Sequence, residues 1–356
     1  MTQTADIAID GAPAGFQAYR RLLRRRLLLT ICIGLLAALL FGVDLVSGPS
    51  SLTAWQTIAG LFDGSTLDAG QLVIIREIRF PQAAMAVLVG MALALSGGEL
   101  QTVLDNPLAS PFTLGVASAA SFGAALGIVL GVSLPGIAPE WMVSVDAFVF
   151  SLASMGLLQV LTRVRGAGSE ATILIGTALF FSFNALLALT QFLGSAQAVQ
   201  QVVFWTLGSL SRSDGDRVAI LAFVTLAVLP FSLLASWRLT ALRLGEDRAR
   251  SFGIDVSRLR ALSLVRVSLL TATAISFVGT IAFVGLVGPH IARLLIGEDH
   301  RFFLPASALS GAAVMSAASI ASKVVMPGVV LPLGVVTALV GVPIYIALIM
   351  ARRTRP

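Results

Sequence analysis

Charge is what this sequence has little of. Only 12% of its 356 residues are Asp, Glu, Lys or Arg. A soluble domain uses about a quarter to cover its surface, so that class is excluded. Cysteine is nearly absent as well: Cys32 is the sole one, so no intrachain disulfide framework can exist. The two histidines, His290 and His300, have no cysteine or carboxylate at ligand spacing, which argues against a metal site. There is no Walker A motif, nucleophile elbow or HExxH, so the chain lacks the usual means of ATP hydrolysis or proteolysis. A cleavable leader is also missing. The first apolar run starts only after Arg24, Arg25 and Arg26 and ends without a small-x-small pattern, so it reads as a retained first span.

What is present is apolar surface in long runs. Hydrophobic residues make up 57% of the chain and the mean hydropathy is +0.93. The runs last about 20 residues, enough to cross about 30 Å of hydrocarbon. They are continuously apolar, whereas strands of a transmembrane barrel alternate with period two. The fold class is therefore an all-α membrane protein. Of 24 basic residues only Lys323 is lysine, and the net charge is +6. Retention of arginine in cytoplasmic loops explains that excess better than nucleic-acid binding does.

Clear spans run roughly over 27–47, 80–101, 111–134, 141–162, 171–194, 217–237, 304–325 and 331–350. The stretch 261–297 is too long for one crossing and short for two. Charge parity decides: the arginines at 20–26 place the N-terminus inside, and six spans later the Arg-rich loop 238–260 is inside again. Two crossings in 261–297, with Gly288-Pro289 helping to break a long helix from a short one, also bring Arg352, Arg353 and Arg355 inside. This gives about ten transmembrane helices, some broken or short. Seventeen arginines then lie on the cytoplasmic side against four outside, Arg76, Arg79, Arg212 and Arg217. Residues 1–26 form a cytoplasmic tail, 27–351 the transmembrane domain with its loop 238–260, and 352–356 a second cytoplasmic tail.

Four segments carry more than hydropathy. Asn106-Pro107-Leu108-Ala109-Ser110-Pro111 has two prolines four residues apart, so it is a non-helical connection near the cytoplasmic face. It is either a tight turn or irregular backbone at the edge of a pathway. Leu244 to Gly253 places Glu246 and Asp247 in the first turn of a short helix, Arg248 and Arg250 later, and Gly253 at a C-terminal stop. Such a short helix needs outside support, from its loop or from a partner. His290 and Arg293, just after Gly288-Pro289, share a face and read as anchors of a broken helix end. On the outer side, Arg76, Arg79 and Gln82 form a polar stripe that is either snorkelling or a docking surface. Glu99 is an acid deep in a span end, a functional candidate unless it snorkels to the headgroups.

In order along 75–350, these segments closely resemble the permease subunits of type II ABC importers for iron siderophores, haem and vitamin B12 (the FecCD-like permeases). The family's Arg-x-Pro-Arg, Gly-rich span and Asn-Pro-Leu-Ala-x-Pro-x-x-Leu-Gly resemble Arg79 to Gly115. Its Leu-Gly-Glu-x-x-Ala-x-x-Leu-Gly resembles Leu244 to Gly253, with Phe252 for Leu. Its Phe-Val-Gly-Leu-x-x-Pro-His-x-x-Arg matches Phe283 to Arg293, and its closing Leu-Pro-x-Gly and Gly-x-Pro resemble 331–334 and 341–343. The resemblance implies ten helices, a dimer with a second copy or a sister permease, two ABC ATPase subunits below and a periplasmic binding protein above. The chain itself would be no enzyme and hold no cofactor, with ATP and magnesium on the ATPase. It would lie in the bacterial inner membrane with both termini cytoplasmic.

By the same resemblance, Leu244, Gly245, Glu246, Ala249 and Gly253 belong to the coupling helix, Asn106, Pro107 and Leu108 lie beside the cytoplasmic gate, and span 171–194 lines the pathway. Arg79 and Lys323 match family positions that dock acids of the binding protein, and Arg76 could replace the second arginine, which is Gln82 here. The family's Asp-x-x-x-Arg reads Ser319 and Lys323, so the acid that might pair is missing. The wording of 104–119 is most like siderophore importers, with haem and cobalamin open. A gradient-driven secondary transporter or an intramembrane enzyme is disfavoured, because the spans hold few acids and the sequence offers no evident catalytic dyad at Glu99 or His290.

Overall fold

The computed structural model describes residues 14–50, 52–65, 67–132, 135–164, 168–326 and 328–352, so most of the first tail and 353–356 lie outside it. The described residues contain helices and no strand. In chain order these are α1 (Ala14–Val46), α2 (Ala54–Phe62), α3 (Ala69–Val73), a π-helical turn (Ile74–Arg79), α4 (Phe80–Val103), α5 (Val116–Ala125) and a second π turn (Leu126–Leu130). Then follow α6 (Pro139–Val164), α7 (Ser169–Leu193), α8 (Ala196–Thr206), α9 (Gly215–Leu234), α10 (Ser236–Leu242), α11 (Glu246–Ser251), α12 (Val256–Val278), α13 (Val284–Ile296), α14 (His300–Val324) and α15 (Leu333–Arg352). Seven helical stretches are long and apolar enough to cross a membrane and three more are shorter and apolar, which together equal the ten crossings that charge parity requires. The small helices α2, α3 and α8, by contrast, fall between the expected spans and are too short to cross.

Capping residues set several starts. Asp214 accepts the amide of Arg217, Asp255 that of Arg258 and Asp299 that of Arg301, each satisfying a donor the helix cannot. α4 runs through the centre. The most apolar windows of its span, of α12 and of α14 are 72–78% buried inside the protein, whereas those of α1, α7 and α9 are 17–22% buried. The inner helices pack closely through small residues: a side chain at Gly97 would overlap the carbonyl of Gly285 on α13, and one at Gly90 that of Gly311 on α14.

The expected helix break is in the wrong place. Gly288 and Pro289 lie inside α13, with His290 and Arg293 following in the same helix, and the chain turns earlier, at 279–283. Gly279 (φ 81°) and Phe283 (φ 68°) adopt left-handed backbone there. Pro289 cannot donate to the carbonyl of Gly285, and the Gln101 side-chain amide supplies that bond from α4 at 3.4 Å. The true break is held by three chain ends that satisfy one another. Ser209 N–H donates to Val278 O, and Leu333 and Gly334 N–H donate to Gly208 O and Leu207 O, at 2.7–3.0 Å. Backbone freed at a membrane crossing thus finds partners in protein.

Candidate functional site

On the side that charge parity assigns to the cytoplasm, α11 is a short helix with Gly245 (φ 106°) before it and Gly253 (φ 78°) after it, both in backbone that favours glycine. Its exposed surface includes Leu244, Asp247, Arg248, Arg250, Ser251 and Phe252. Ala249, expected in the coupling helix, lies in α11 and is completely buried against the rest of the protein. Glu246 faces inward: its Oε1 accepts from the Arg260 guanidinium at 2.5 Å, and Oε2 from Arg250 at 3.1 Å.

Arg260 reaches further. Its Nε donates to the carbonyl of Val103, the last residue of α4, at 3.1 Å. The 104–115 connection begins there, so one side chain straps α11 to its root. Asp105 turns in left-handed backbone (φ 43°), and Asn106 Oδ1 accepts the Leu108 amide at 2.9 Å, which makes the tight turn. Leu108 is exposed and Pro107 half-buried. Arg243, next to α11, forks between Asp105 at 2.7 Å and both oxygens of Glu298 at 2.7 and 3.2 Å. Glu298 also pairs with Arg293 at 3.3 Å, so Arg293 belongs to this web. Burial alone would raise the Glu298 pKa, but the hydrogen bond and charge of Arg243, with Arg293, hold it below its ordinary value. Asp299, held down by its hydrogen bond from Arg301, pairs with Arg26 at the start of α1. His300 is buried, its ring nitrogens 2.8 Å from Thr102 Oγ1 and 3.2 Å from Thr240 Oγ1. The web thus joins α1, the root of the connection, α10, α11 and the α13–α14 turn.

Glu99 is neither free nor snorkelling. It is 1% exposed, and Arg266 of α12 holds both its oxygens with three bonds of 2.7–3.1 Å while also bonding Ser263. The signal was a lone arginine within an apolar span.

The outer side differs from expectation. Arg79 does not look outward: it is 4% exposed and donates to Val46 O, Thr57 Oγ1, Ser50 O and Ser50 Oγ, riveting α2 and the end of α1 to the π turn. Arg76 is exposed and keeps one bond, to Gly60 O at 2.8 Å. Lys323 is buried on Asp44 at 2.8 Å, and Ser319 Oγ donates to the same oxygen at 2.8 Å. The acid missing at 319 is therefore supplied from α1, and a single aspartate in the first apolar run was its sign. Arg79 and Lys323 are spent inside the fold, so of the expected docking residues Arg76 alone presents an exposed side chain. In the 207–214 turn, burial and then repulsion from Arg217 lower the Arg212 pKa to about 10, while its guanidinium donates to Val278 O.

α7 leaves Leu174, Phe181, Ser182, Leu186, Leu189 and Phe192 uncovered, and its other face packs on the 104–115 connection through Gly176 on Leu114 and on α5 through Asn184 on Ser118. Among the described residues no cluster of His, Cys, Asp or Glu could hold a metal ion.

The sequence profile of the FecCD transport family matches residues 35–351. The haemin transport permease HmuU of Yersinia pestis is 32% identical over 324 residues, covering 91% of this chain and 96% of HmuU. The vitamin B12 import permease BtuC of Klebsiella pneumoniae is 33% identical over 292 residues, 82% and 87% of the two chains. A solved structure described as an inward-facing metal-chelate type ABC transporter superposes with a TM-score of 0.79 at 29% identity, covering 91% of this chain and 99% of that one.

Proposed function

The chain belongs to the FecCD transport family, and from that premise we propose that it imports a ferric siderophore through the bacterial inner membrane. Membership makes it a permease of type II ABC importers, the class that takes up iron chelates, haem or vitamin B12. The siderophore reading rests on Ser110-Pro111-Phe112-Thr113-Leu114-Gly115 within the connection. Specificity would reside mainly in a periplasmic binding protein, with Arg76 as the outward contact for one of its acids.

The observation that carries the mechanism is the strap from Glu246 through Arg260 to Val103 O. ATP binding and hydrolysis would occur on partner ATPase subunits, which engage α11 through Leu244, Asp247, Arg248 and Phe252. Displacement of α11 would then pull on the root of the 104–115 connection through Arg260. Arg243 would move Asp105 against Glu298. Asn106 to Leu108 would shift at the cytoplasmic end of a pathway that α7 lines, between this chain and a second permease copy or a sister subunit.

The test is uptake of one radiolabelled ferric siderophore with its binding protein, with haemin and cobalamin as competitors. Loss of uptake on ATP depletion, with no effect of collapsing the proton gradient, is the expected result. Dependence on the gradient alone would overturn the ATP-driven reading, and displacement by haemin or cobalamin would overturn the siderophore.

A further inference from the structure

A large cavity lies away from the straps. It is a groove of about 1040 Å³ between α9, α10 and the start of α12, and its floor includes Phe252, Gly253 and Ile254 at the end of α11. Its walls are Phe231, Leu234, Leu262, Val265 and Leu269, apolar residues that no described element covers completely, together with the buried Val228. From Leu259 to Leu269 the groove rises about 15 Å along α12, which is half of a hydrocarbon core of about 30 Å. It is therefore one leaflet deep, and it opens at the cytoplasmic end, where the Arg-rich loop begins.

The mouth is chemically distinct from the walls. Arg238 and Arg258 stand there with exposed side chains, and neither pairs with an acid among the described residues. Asp255 is also at the mouth, but its Oδ1 accepts the Arg258 backbone amide as the cap of α12. Trp237 is exposed beside Arg238, at the level where amphipathic rings sit in a bilayer interface. Deeper in, Arg266 is already neutralised by Glu99, so the cationic field is confined to the mouth.

We propose that this groove is a binding site for one anionic phospholipid of the cytoplasmic leaflet. Its acyl chains would lie between α9 and α12, and its phosphate on Arg238 and Arg258. Apolar walls one leaflet long select an amphiphile, and two unpaired guanidinium groups at the polar end select negative charge. A lipid seated there would brace the Phe252–Ile254 end of α11 from the membrane side.

The test uses the purified full-length protein in nanodiscs and reads quenching of Trp237 by brominated lipids, isolating its contribution by difference against Trp237→Phe. Brominated phosphatidylglycerol should quench at a lower mole fraction than brominated phosphatidylcholine. Arg238→Gln with Arg258→Gln should reduce that preference about thirtyfold, while Arg248→Gln, an exposed arginine outside the groove, should not. Equal quenching by both lipids, unchanged in the double variant, would mean unselective contact with the bilayer and overturn the site. Absence of quenching by either lipid would mean protein fills the groove, and an equal effect of Arg248→Gln would reduce the preference to general surface charge. None of these readouts depends on transport.

Discussion

Arginine and lysine do opposite work at the two ends of this molecule. On the outer side Arg79 and Lys323 are buried and fully engaged, each tying neighbouring helix ends into one block. On the cytoplasmic side Arg243 and Arg260 have partly exposed partners on different elements, α11, the 104–115 connection and the α13–α14 turn. Desolvation accounts for the difference. A buried charge that loses its partner is costly, so the outer pairs behave as rivets, whereas a half-solvated pair can exchange its partner for water at little cost.

The sharpest test of the rivets is Asp44→Ala. It strands the Lys323 ammonium in a dry setting and should destabilise the protein by about 3–5 kcal/mol. Asp44→Ala with Lys323→Met should recover most of that loss, as read by thermal unfolding in detergent. Equal melting of wild type and the single variant would mean that water reaches the pair and that the outer block is not dry.

Next in size, Gln101→Leu leaves the carbonyl freed by Pro289 without its donor, at a cost of about 1–3 kcal/mol. Adding Pro289→Ala returns the intrahelical bond to Gly285 and should restore stability. If the second change worsens the loss, Gln101 acts by packing on α13 rather than by hydrogen bonding.

The straps should show the reverse pattern. Glu246→Arg should cost about 1 kcal/mol or less in stability, yet siderophore uptake per ATP hydrolysed should fall at least about tenfold. Glu246→Arg with Arg260→Glu restores the opposite charges and should regain part of that ratio. Uptake that tracks stability across the three proteins would make the strap a rivet like those outside, and the comparison would fail.

How much of this could be read beforehand follows the same division. The ten crossings were legible, because hydropathy and the count of arginines on each side act over whole segments. The 106–111 connection and α11 were legible from prolines, glycines and charge order. Pairing was not. Glu99 stood out as an acid in a span end, whereas Asp44 and Arg266 belonged to no motif, and only packing brings Asp44 to Lys323 and Glu99 to Arg266. The helix break was misplaced because proline is visible in a sequence, whereas the remote amide of Gln101 that lets α13 continue through Pro289 is not. Phe283 gave no sign of its left-handed backbone. Ala249 was placed in the coupling helix by its position in a motif, and the sequence did not reveal that its methyl group is completely buried.

The smallest expected effect is on pH. Glu298 has an ordinary pKa of 4.5 and a lower one in the folded protein, chiefly because Arg243 opposes the effect of burial. A carboxylate with a depressed folded pKa contributes stability that is fully present above its unfolded value and is lost as pH falls through the folded one. The Glu298 contribution to the web should therefore be unchanged between pH 6 and 8 and fall away only below about 4.5, with Glu298→Gln abolishing that part of the dependence. Hydrogen exchange of the 297–300 amides against pH, with the 207–209 amides of the outer junction as reference, separates the two ends. The 297–300 amides should lose protection first on acidification. Simultaneous loss at both ends would mean that the web has no titration of its own and opens only with the whole fold.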